Sequence, residues 1–231
     1  MEHAKIIELL RDDKNYYGEF GSKYLSNSDI GILLNNPKKF KSLQEPTLAM
    51  LQGSYFHSMC LEPHKAKDFI LVDASTRTTN IYKDACKEYN SNFLLLKKEA
   101  EEVDEMVAAL RENKELSKLV WDNGVKYEVP ILGEINGLMW KGKCDIINGD
   151  KIYDLKSTNS LDDFKYSAKK YNYDSQVAVY EHLTGKKMSF IVIEKGTNRL
   201  GYFQVSDEFR ESGWTKMAKA VDNYNKFYGS N

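Results

Sequence analysis

Two aspartates and a lysine lie close together in residues 141–156 and could do chemistry together. The segment is typical of two short strands joined at Asn148-Gly149, with Asp145 on the first strand and Asp154 and Lys156 on the second. Residues two apart on a strand share a face, so Lys156 points to the same side as Asp154. Carboxylate oxygens are the ligands that Mg²⁺ prefers, and a lysine can orient a water or offset developing negative charge. Such a set could hold a divalent cation and an activated water against a phosphodiester.

As a string, the triplet Asp154-Leu155-Lys156 carries no information. Chance predicts about four acid-x-Lys triplets in a chain of this composition. Four occur, and they start at Asp12, Glu112, Asp154 and Asp163. Only the Asp154 triplet lies on a predicted strand directly after another strand that bears an acid. The alternative on this stretch alone is an exposed strand face with a surface ion pair, which is a common arrangement.

Two further residues could join a metal site. His57 lies on a predicted helix, 47–61, where one neutral imidazole nitrogen could add a ligand, although an isolated histidine is more often structural. Gly53, four residues earlier, weakens that helix and favours a close approach by another backbone or a substrate. Glu128 lies on the first strand of a predicted meander and could either approach the acids or pair with a lysine on the strand face.

Gln176 and Tyr180 lie four residues apart on a predicted helix and therefore share one face. A glutamine can bond to a phosphate or a carboxylate, and a tyrosine can stack or bond to phosphate. The alternative is that Tyr180 belongs to the core and Gln176 is exposed. Local positive clusters occur at Lys38, Lys39 and Lys41 and at Lys165, Lys169 and Lys170. Such runs are usually solvated faces.

The elements that must position these residues follow from periodicity and turn signals. Helices are predicted at 47–61, 81–90, 97–120, 173–183 and 207–228, and strands at 69–72, 125–133, 138–147, 151–157, 188–194 and 200–205. Asn136-Gly137 and Asn148-Gly149 predict tight hairpins with positive φ at both positions. This order predicts an α/β or α+β domain with a mixed sheet.

Composition sets limits on the class of protein. The chain has 231 residues, 42% of them hydrophobic, and a net charge of −1, which argues against a broad nucleic-acid-binding surface but permits a positive channel. It contains no apolar run long enough for a membrane helix and no evident secretory leader, so we expect no membrane partner. Three widely spaced cysteines argue against disulfides and metal–sulfur clusters, and a reducing cytoplasm is the simplest compartment.

These residues, taken in order, resemble the motifs of a known nuclease superfamily. Gly53-x-x-x-His57, Glu128, Asp145, Asp154-Leu155-Lys156 and Gln176-x-x-x-Tyr180 match the PD-(D/E)XK nucleases, in particular the RecB-type branch and its RecE-like phage and prophage exonucleases. The resemblance covers about residues 24–205. It implies a restriction-endonuclease-like core, in which helices flank a mixed β-sheet made of an antiparallel meander plus further strands. We therefore expect a single nuclease domain over 1–231, with an N-terminal extension at 1–24 and a C-terminal helix at 206–231.

The resemblance also implies roles for the candidate residues. The implied metal ligands are His57, Asp145, Asp154 and the backbone carbonyl of Leu155. Lys156 would be the catalytic lysine, with Glu128 beside Asp145 and Asp154 as a further catalytic acid. Gln176 and Tyr180 would order the site and contact DNA. The implied cofactor is Mg²⁺, with Mn²⁺ as a substitute and two ions per site.

The function that follows is a Mg²⁺-dependent exonuclease that hydrolyses phosphodiester bonds from the ends of double-stranded DNA. The resemblance places it in phage-type recombination by single-strand annealing, as a homo-oligomeric ring beside a single-strand annealing protein, in a bacterial cytoplasm. An endonuclease or nickase on the same fold is the alternative enzyme. A nuclease-fold DNA-binding module that does not cut is the other alternative, although the complete acid, acid and lysine set argues against it. Cys144 replaces the nominal proline before Asp145, a departure that leaves the other motifs unchanged.

Overall fold

The computed structural model of the protein describes residues 2–42 and 46–229. The helices are α1 (His3–Leu9), α2 (Asp13–Tyr17), α3 (Asn27–Asn35), α4 (Leu48–Leu61), α5 (Pro63–Ala66), α6 (Asn80–Glu88), α7 (Lys97–Glu112), α8 (Lys114–Trp121), α9 (Phe164–Lys170), α10 (Tyr173–Thr184) and α11 (Asp207–Tyr228). The strands are β1 (Leu71–Val72), β2 (Leu95–Leu96), β3 (Lys126–Ile135), β4 (Leu138–Asn148), β5 (Lys151–Thr158), β6 (Lys187–Glu194) and β7 (Leu200–Gln204). Within the described ranges no helix is long and apolar enough to cross a membrane.

The main sheet has five strands in the order β3-β4-β5-β6-β7. Neighbouring strands run antiparallel except β5 and β6, which are parallel and are joined through α9 and α10. A parallel pair needs such a crossover, whereas an antiparallel pair needs only a hairpin. Strands β1 and β2 form a separate parallel pair. The arrangement is the predicted meander extended by two further strands into a mixed sheet.

Helices cover both faces of the main sheet and create two hydrophobic cores. Helices α3, α10 and α11 pack on one face, and this core, called core A, contains Trp140, Ile152 and Phe190. Helices α4, α7 and α8 pack on the other face, and this core, called core B, contains Leu155 and Ile191. Strand β6 is buried on both faces along nearly all of its length, which explains its continuous apolar sequence.

The two predicted hairpins both form, but the second differs by one residue. Asn136 and Gly137 have φ angles of 52° and 76°, as expected for a loop with two positive φ positions. At the second hairpin Asn148 still pairs with Lys151 as part of the ladder, so the loop is residues 149–150. There only Gly149 has a positive φ, of 59°. The prediction of an Asn148-Gly149 loop was therefore wrong by one position.

Two helical regions differ from the sequence-based expectation. The helix predicted over 97–120 is in fact α7 and α8, because the Asn113 side chain accepts hydrogen bonds from the backbone N–H of Glu115 and Leu116 and starts a new helix. The N-terminal residues, expected as a polar extension, contain α1 and α2. Buried Leu10 and Tyr16 of this region pack with Leu132 on β3. The N-terminal segment is therefore docked onto the edge of the sheet.

Candidate active site

Strand β3 changes sides at Glu128. Tyr127 packs against core B, whereas Val129 packs against core A, although residues on either side of one position should point the same way on a regular strand. The residue between them, Glu128, has a φ of 48°. A left-handed backbone is uncommon for a residue other than glycine, and such strained residues cluster at functional sites. The local distortion therefore marks Glu128 as more than an ordinary strand-face acid.

Strand β4 changes sides opposite the same point. Cys144 lies in core A and Ile146 in core B, so the alternation breaks at Asp145. The pairing of β4 with β5 also stops here, since its last pair is Ile146 with Tyr153. In place of the next ladder bond, the Asp145 Oδ2 atom accepts a hydrogen bond of 2.9 Å from the backbone N–H of Leu155. The two strands fork at the acids that the sequence singled out.

Side chains from both cores converge on this fork. From helix α4, the His57 Nε2 atom donates to the Leu155 carbonyl oxygen at 3.0 Å, and its Nδ1 atom lies 3.4 Å from Asp145 Oδ2. Ligand atoms of His57, Glu128 and Asp145 all lie within 4.8 Å of one another. Around an octahedral cation with bonds of about 2.1 Å, adjacent ligands are about 3.0 Å apart and opposite ligands about 4.2 Å. The 4.8 Å bound exceeds the opposite-ligand distance by about 0.6 Å, so these donors could hold one hard divalent cation after a small shift of the side chains.

Asp154 is next to this group but is held by other partners. It is 1% exposed. Its Oδ1 atom accepts a 2.6 Å hydrogen bond from Gln176 Nε2, and its Oδ2 atom forms an ion pair with Lys156 Nζ. The Lys156 amine also lies 4.6 Å from the centre of the Tyr173 ring. Asp154 thus fixes the position of the lysine and is itself fixed by α10.

Tyr180 supports the site through the backbone. Its hydroxyl accepts a 3.2 Å hydrogen bond from the N–H of Lys143, two residues before Asp145. Gly142 makes room for the ring, since a Cβ atom there would lie 2.6 Å from it. Both Tyr180 and Gln176 are buried. Their roles in ordering the site and in contacting DNA stay predictions.

The fork concentrates negative charge in a buried place. Burial, followed by the charge of Asp154, raises the pKa of Asp145 to about 6. Burial, followed by the charge of Asp145, raises the pKa of Glu128 to about 8. Burial alone would lower the pKa of Lys156, but the carboxylates of Asp154 and Asp145 outweigh it, and the net pKa is raised. The lysine stays charged, and a bound cation would relieve the repulsion between the acids.

The structure brings the predicted site residues to the fork or to neighbouring residues on the strands that form it. His57, Glu128 and Asp145 form the three-donor group, with the Leu155 carbonyl beside it. Glu128, expected as a further acid, belongs to this group, while the two Asp154 oxygens face Gln176 and Lys156. The individual roles in metal binding and catalysis remain predictions.

The sequence reasoning missed one charged group beside the site. Asp13, on α2, lies 2.5 Å from Lys143 Nζ and 2.7 Å from Lys65 Nζ. Lys143 is buried on β4, and its only sequence signal is its position two residues before Asp145. Burial tends to raise the pKa of Asp13, but its hydrogen bonds and ion pairs with the two lysines outweigh this, and the pKa is lowered. This contact holds the N-terminal segment against the rim of the fork.

The fold and the forked acid site together define a PD-(D/E)XK-type nuclease fold. Residues 28–229 match the family model described as a PDDEXK-like domain of unknown function (DUF3799), and the chain belongs to this family. The resemblance inferred from the motifs is confirmed at the level of the superfamily.

Two solved structures were compared with the chain. A candidate exonuclease from Eubacterium rectale is similar with a TM-score of 0.67 and 21% identity, over 95% of this chain and 88% of that one. A phage related exonuclease from Haemophilus somnus 129PT overlaps with a TM-score of 0.35 and 15% identity, over 67% of this chain and 88% of that one. No curated protein matches the chain. The first similarity confirms the predicted fold class.

Proposed function

We propose that the protein is a divalent-metal-dependent deoxyribonuclease that removes nucleotides from the ends of double-stranded DNA. The observation that carries this proposal is the group of His57, Glu128 and Asp145 at the fork, with Lys156 held beside it by Asp154. The PDDEXK-like family supports nuclease chemistry. The exonuclease description of the Eubacterium rectale protein supports action at ends.

The proposed metal ligands are three side chains and one backbone carbonyl group at the fork. His57, Glu128, Asp145 and the Leu155 carbonyl would hold Mg²⁺, with Mn²⁺ able to substitute. We further propose that the site holds two ions, with Asp154 as an additional ligand. When bound, such an ion lowers the pKa of a coordinated water and stabilises negative charge on the phosphate. Mg²⁺ and Mn²⁺ prefer carboxylate and carbonyl oxygen atoms as ligands. A site with several such oxygens and one imidazole therefore suits these ions.

The protein groups around the metal site orient the reactants. The Lys156 amine is charged and fixed between Asp154 and the Tyr173 ring, where it can hold the attacking water and balance the charge that develops on the phosphate. Gln176 is a positioning residue because it bonds to the Asp154 carboxylate, which in turn holds Lys156. Tyr180 is a second positioning residue because it fixes the backbone of β4 just before Asp145.

The wider role proposed here follows the resemblance to RecE-like enzymes. We infer that the exonuclease prepares single strands for recombination by annealing, as a homo-oligomeric ring that works with a single-strand annealing protein in the cytoplasm of a bacterium carrying a phage or prophage. Endonuclease or nicking activity on the same fold is the alternative that the first experiment must separate.

One digestion experiment tests the activity. Linear duplex and covalently closed circular DNA are incubated with the protein and Mg²⁺, Mn²⁺ or EDTA, and the products are separated on a gel. We expect metal-dependent loss of linear DNA, while the closed circle stays intact. Nicking or linearisation of the circle would replace the exonuclease proposal by the endonuclease alternative. Intact DNA in every lane, with the protein folded, would contradict nuclease activity altogether.

A further inference from the structure

Helix α9 and the turn into α10 present two tyrosines and two lysines to solvent. Tyr166 is 66% exposed and Tyr171 is 59% exposed. The Lys165 amine lies 4.8 Å from the Tyr166 ring centre, and the Lys170 amine lies 5.8 Å from the Tyr171 ring centre. We call these four residues the tyrosine–lysine surface. Exposed aromatic rings beside lysines are the combination of groups that single-stranded nucleic acids bind.

The charges on this surface are available for a ligand. Lys169, the neighbour on the same helix, is paired with Glu208 at 2.9 Å. Across residues 2–42 and 46–229, Lys165 and Lys170 form no ion pair with an acidic side chain, and their charged contacts are with the tyrosine rings. The charges of these two lysines can therefore pair with an anionic ligand without first breaking an ion pair.

The tyrosine–lysine surface adjoins the candidate active site at Tyr171. The Tyr171 and Tyr173 rings have centres 6.1 Å apart, and the Tyr173 ring lies 4.6 Å from the Lys156 amine. Asn172, between the two tyrosines, has a φ of 60°, and this left-handed residue turns the chain from α9 into α10. The Tyr173 ring therefore links Tyr171 to Lys156, the lysine that the proposed mechanism places at the phosphate.

We propose that the tyrosine–lysine surface binds a single-stranded segment of DNA next to the bond that the active site cleaves. Unpaired bases stack on exposed aromatic rings, and the phosphates between them pair with lysines. Bases in an intact duplex are already stacked on each other, so exposed rings select the unpaired strand. This inference rests on the proposed nuclease function, because it extends the substrate path of that same site.

Binding in the absence of metal tests the surface separately from cleavage. The probe is a fluorescein-labelled oligothymidylate of about 15 nucleotides, with a blunt duplex of the same length as comparison, followed by fluorescence anisotropy in EDTA. We expect Tyr171→Ala to weaken oligothymidylate binding about fivefold or more, and Tyr166→Ala to act in the same direction. Tyr171→Phe keeps the ring and should bind like the wild type. Tyr89→Ala removes a ring that is 50% exposed in the turn after α6 and is the matched control.

The lysines are tested through salt dependence. For single strands the logarithm of the affinity falls with the logarithm of salt concentration by about 0.7 per phosphate contact. Replacing both Lys165 and Lys170 by alanine should reduce this slope by up to about 1.4, whereas Tyr171→Ala should weaken binding and leave the slope unchanged. An unchanged slope in the double variant would contradict the role given to the two cations.

Two results would overturn the inference. One is a Tyr171→Ala protein that is folded by circular dichroism and binds the oligothymidylate as tightly as the wild type. The other is equal weakening of duplex binding, which would make the surface a contact for duplex DNA. Failure of the nuclease proposal gives a different pattern, in which no DNA is cleaved in Mg²⁺ or Mn²⁺ while the tyrosine variants still lose oligothymidylate binding.

Discussion

Replacing Glu128 by glutamine tests the electrostatics of the fork, because it removes one buried carboxylate and keeps the shape of the side chain. Burial and then the charge of Asp145 raise the Glu128 pKa from 4.5 to about 8. That difference corresponds to an upper limit of about 5 kcal/mol of destabilisation once the acid is ionised. Because Asp145 shares the repulsion, we expect metal-free Glu128→Gln to gain about 2 kcal/mol at about pH 8.5, or about 4–8 °C in Tm.

The sign of the pH dependence follows from the direction of the pKa change. A carboxyl with a raised pKa in the folded state binds its proton more tightly there, so the protonated group stabilises the fold at low pH. This stabilisation is lost as the pH rises from 4.5 through about 8. Metal-free wild type should lose at most about 1.4 kcal/mol per pH unit in that window, and Asp145 adds to the loss at its lower end. The Glu128→Gln profile should be flatter.

The assay is thermal unfolding in EDTA at about pH 5.5 and about pH 8.5, followed by addition of Mg²⁺ or Mn²⁺. The ion should stabilise the wild type at the higher pH and give Glu128→Gln little gain, because a ligand stabilises only the state that binds it. Glu134→Gln removes an exposed carboxylate from the same strand and should leave both responses unchanged. A flat wild-type profile in EDTA, or a glutamine variant no more stable than wild type at high pH, would refute the reasoning.

Three other substitutions separate the chemical step from the contacts that support it. Lys156→Ala and Asp154→Ala should each lower metal-dependent digestion of linear duplex about a hundredfold or more while the protein remains folded; an active Lys156→Ala enzyme would mean that the site is misplaced. Gln176→Leu removes the hydrogen bond to a buried Asp154 oxygen and should cost about 1–3 kcal/mol in urea unfolding, with slower cleavage and nearly unchanged affinity for the metal. An unaltered urea midpoint and an unaltered cleavage rate would show that the hydrogen bond orders nothing.

Local patterns predicted those parts of the fold that depend on neighbouring residues. The closing helix α11 matches its predicted bounds, and the Asn136-Gly137 loop has the expected backbone, because caps and turn residues act over a few positions. The break between α7 and α8 was missed, since Asn113 lies in a helical pattern and shows its capping role only through its hydrogen bonds. Helix α9 was also not predicted, although its lysines were noted.

The contacts in the site also fall into two groups. Those between neighbours in the sequence can be predicted from a local pattern, whereas those between distant elements cannot. Asp154 and Lys156 share a face because they are two residues apart, and this could be predicted from the strand alone. The bond from Gln176 to Asp154 joins different elements, and only the order of the family motifs brought the two together. The ion pair of Asp13 with Lys143 joins residues 130 positions apart and has no signature in the sequence.

The fork itself explains how one site can use groups from opposite faces of a sheet. His57 comes from α4 on the side of core B, whereas Gln176 comes from α10 on the side of core A. A continuous ladder between β4 and β5 would separate these helices. The pairing of β4 with β5 stops at Ile146, β3 changes sides at Glu128 and β4 changes sides at Asp145, so helix side chains from both cores reach the same fork. A regular strand pattern hides this break, which explains why the sequence predicted the acids but not their shared environment.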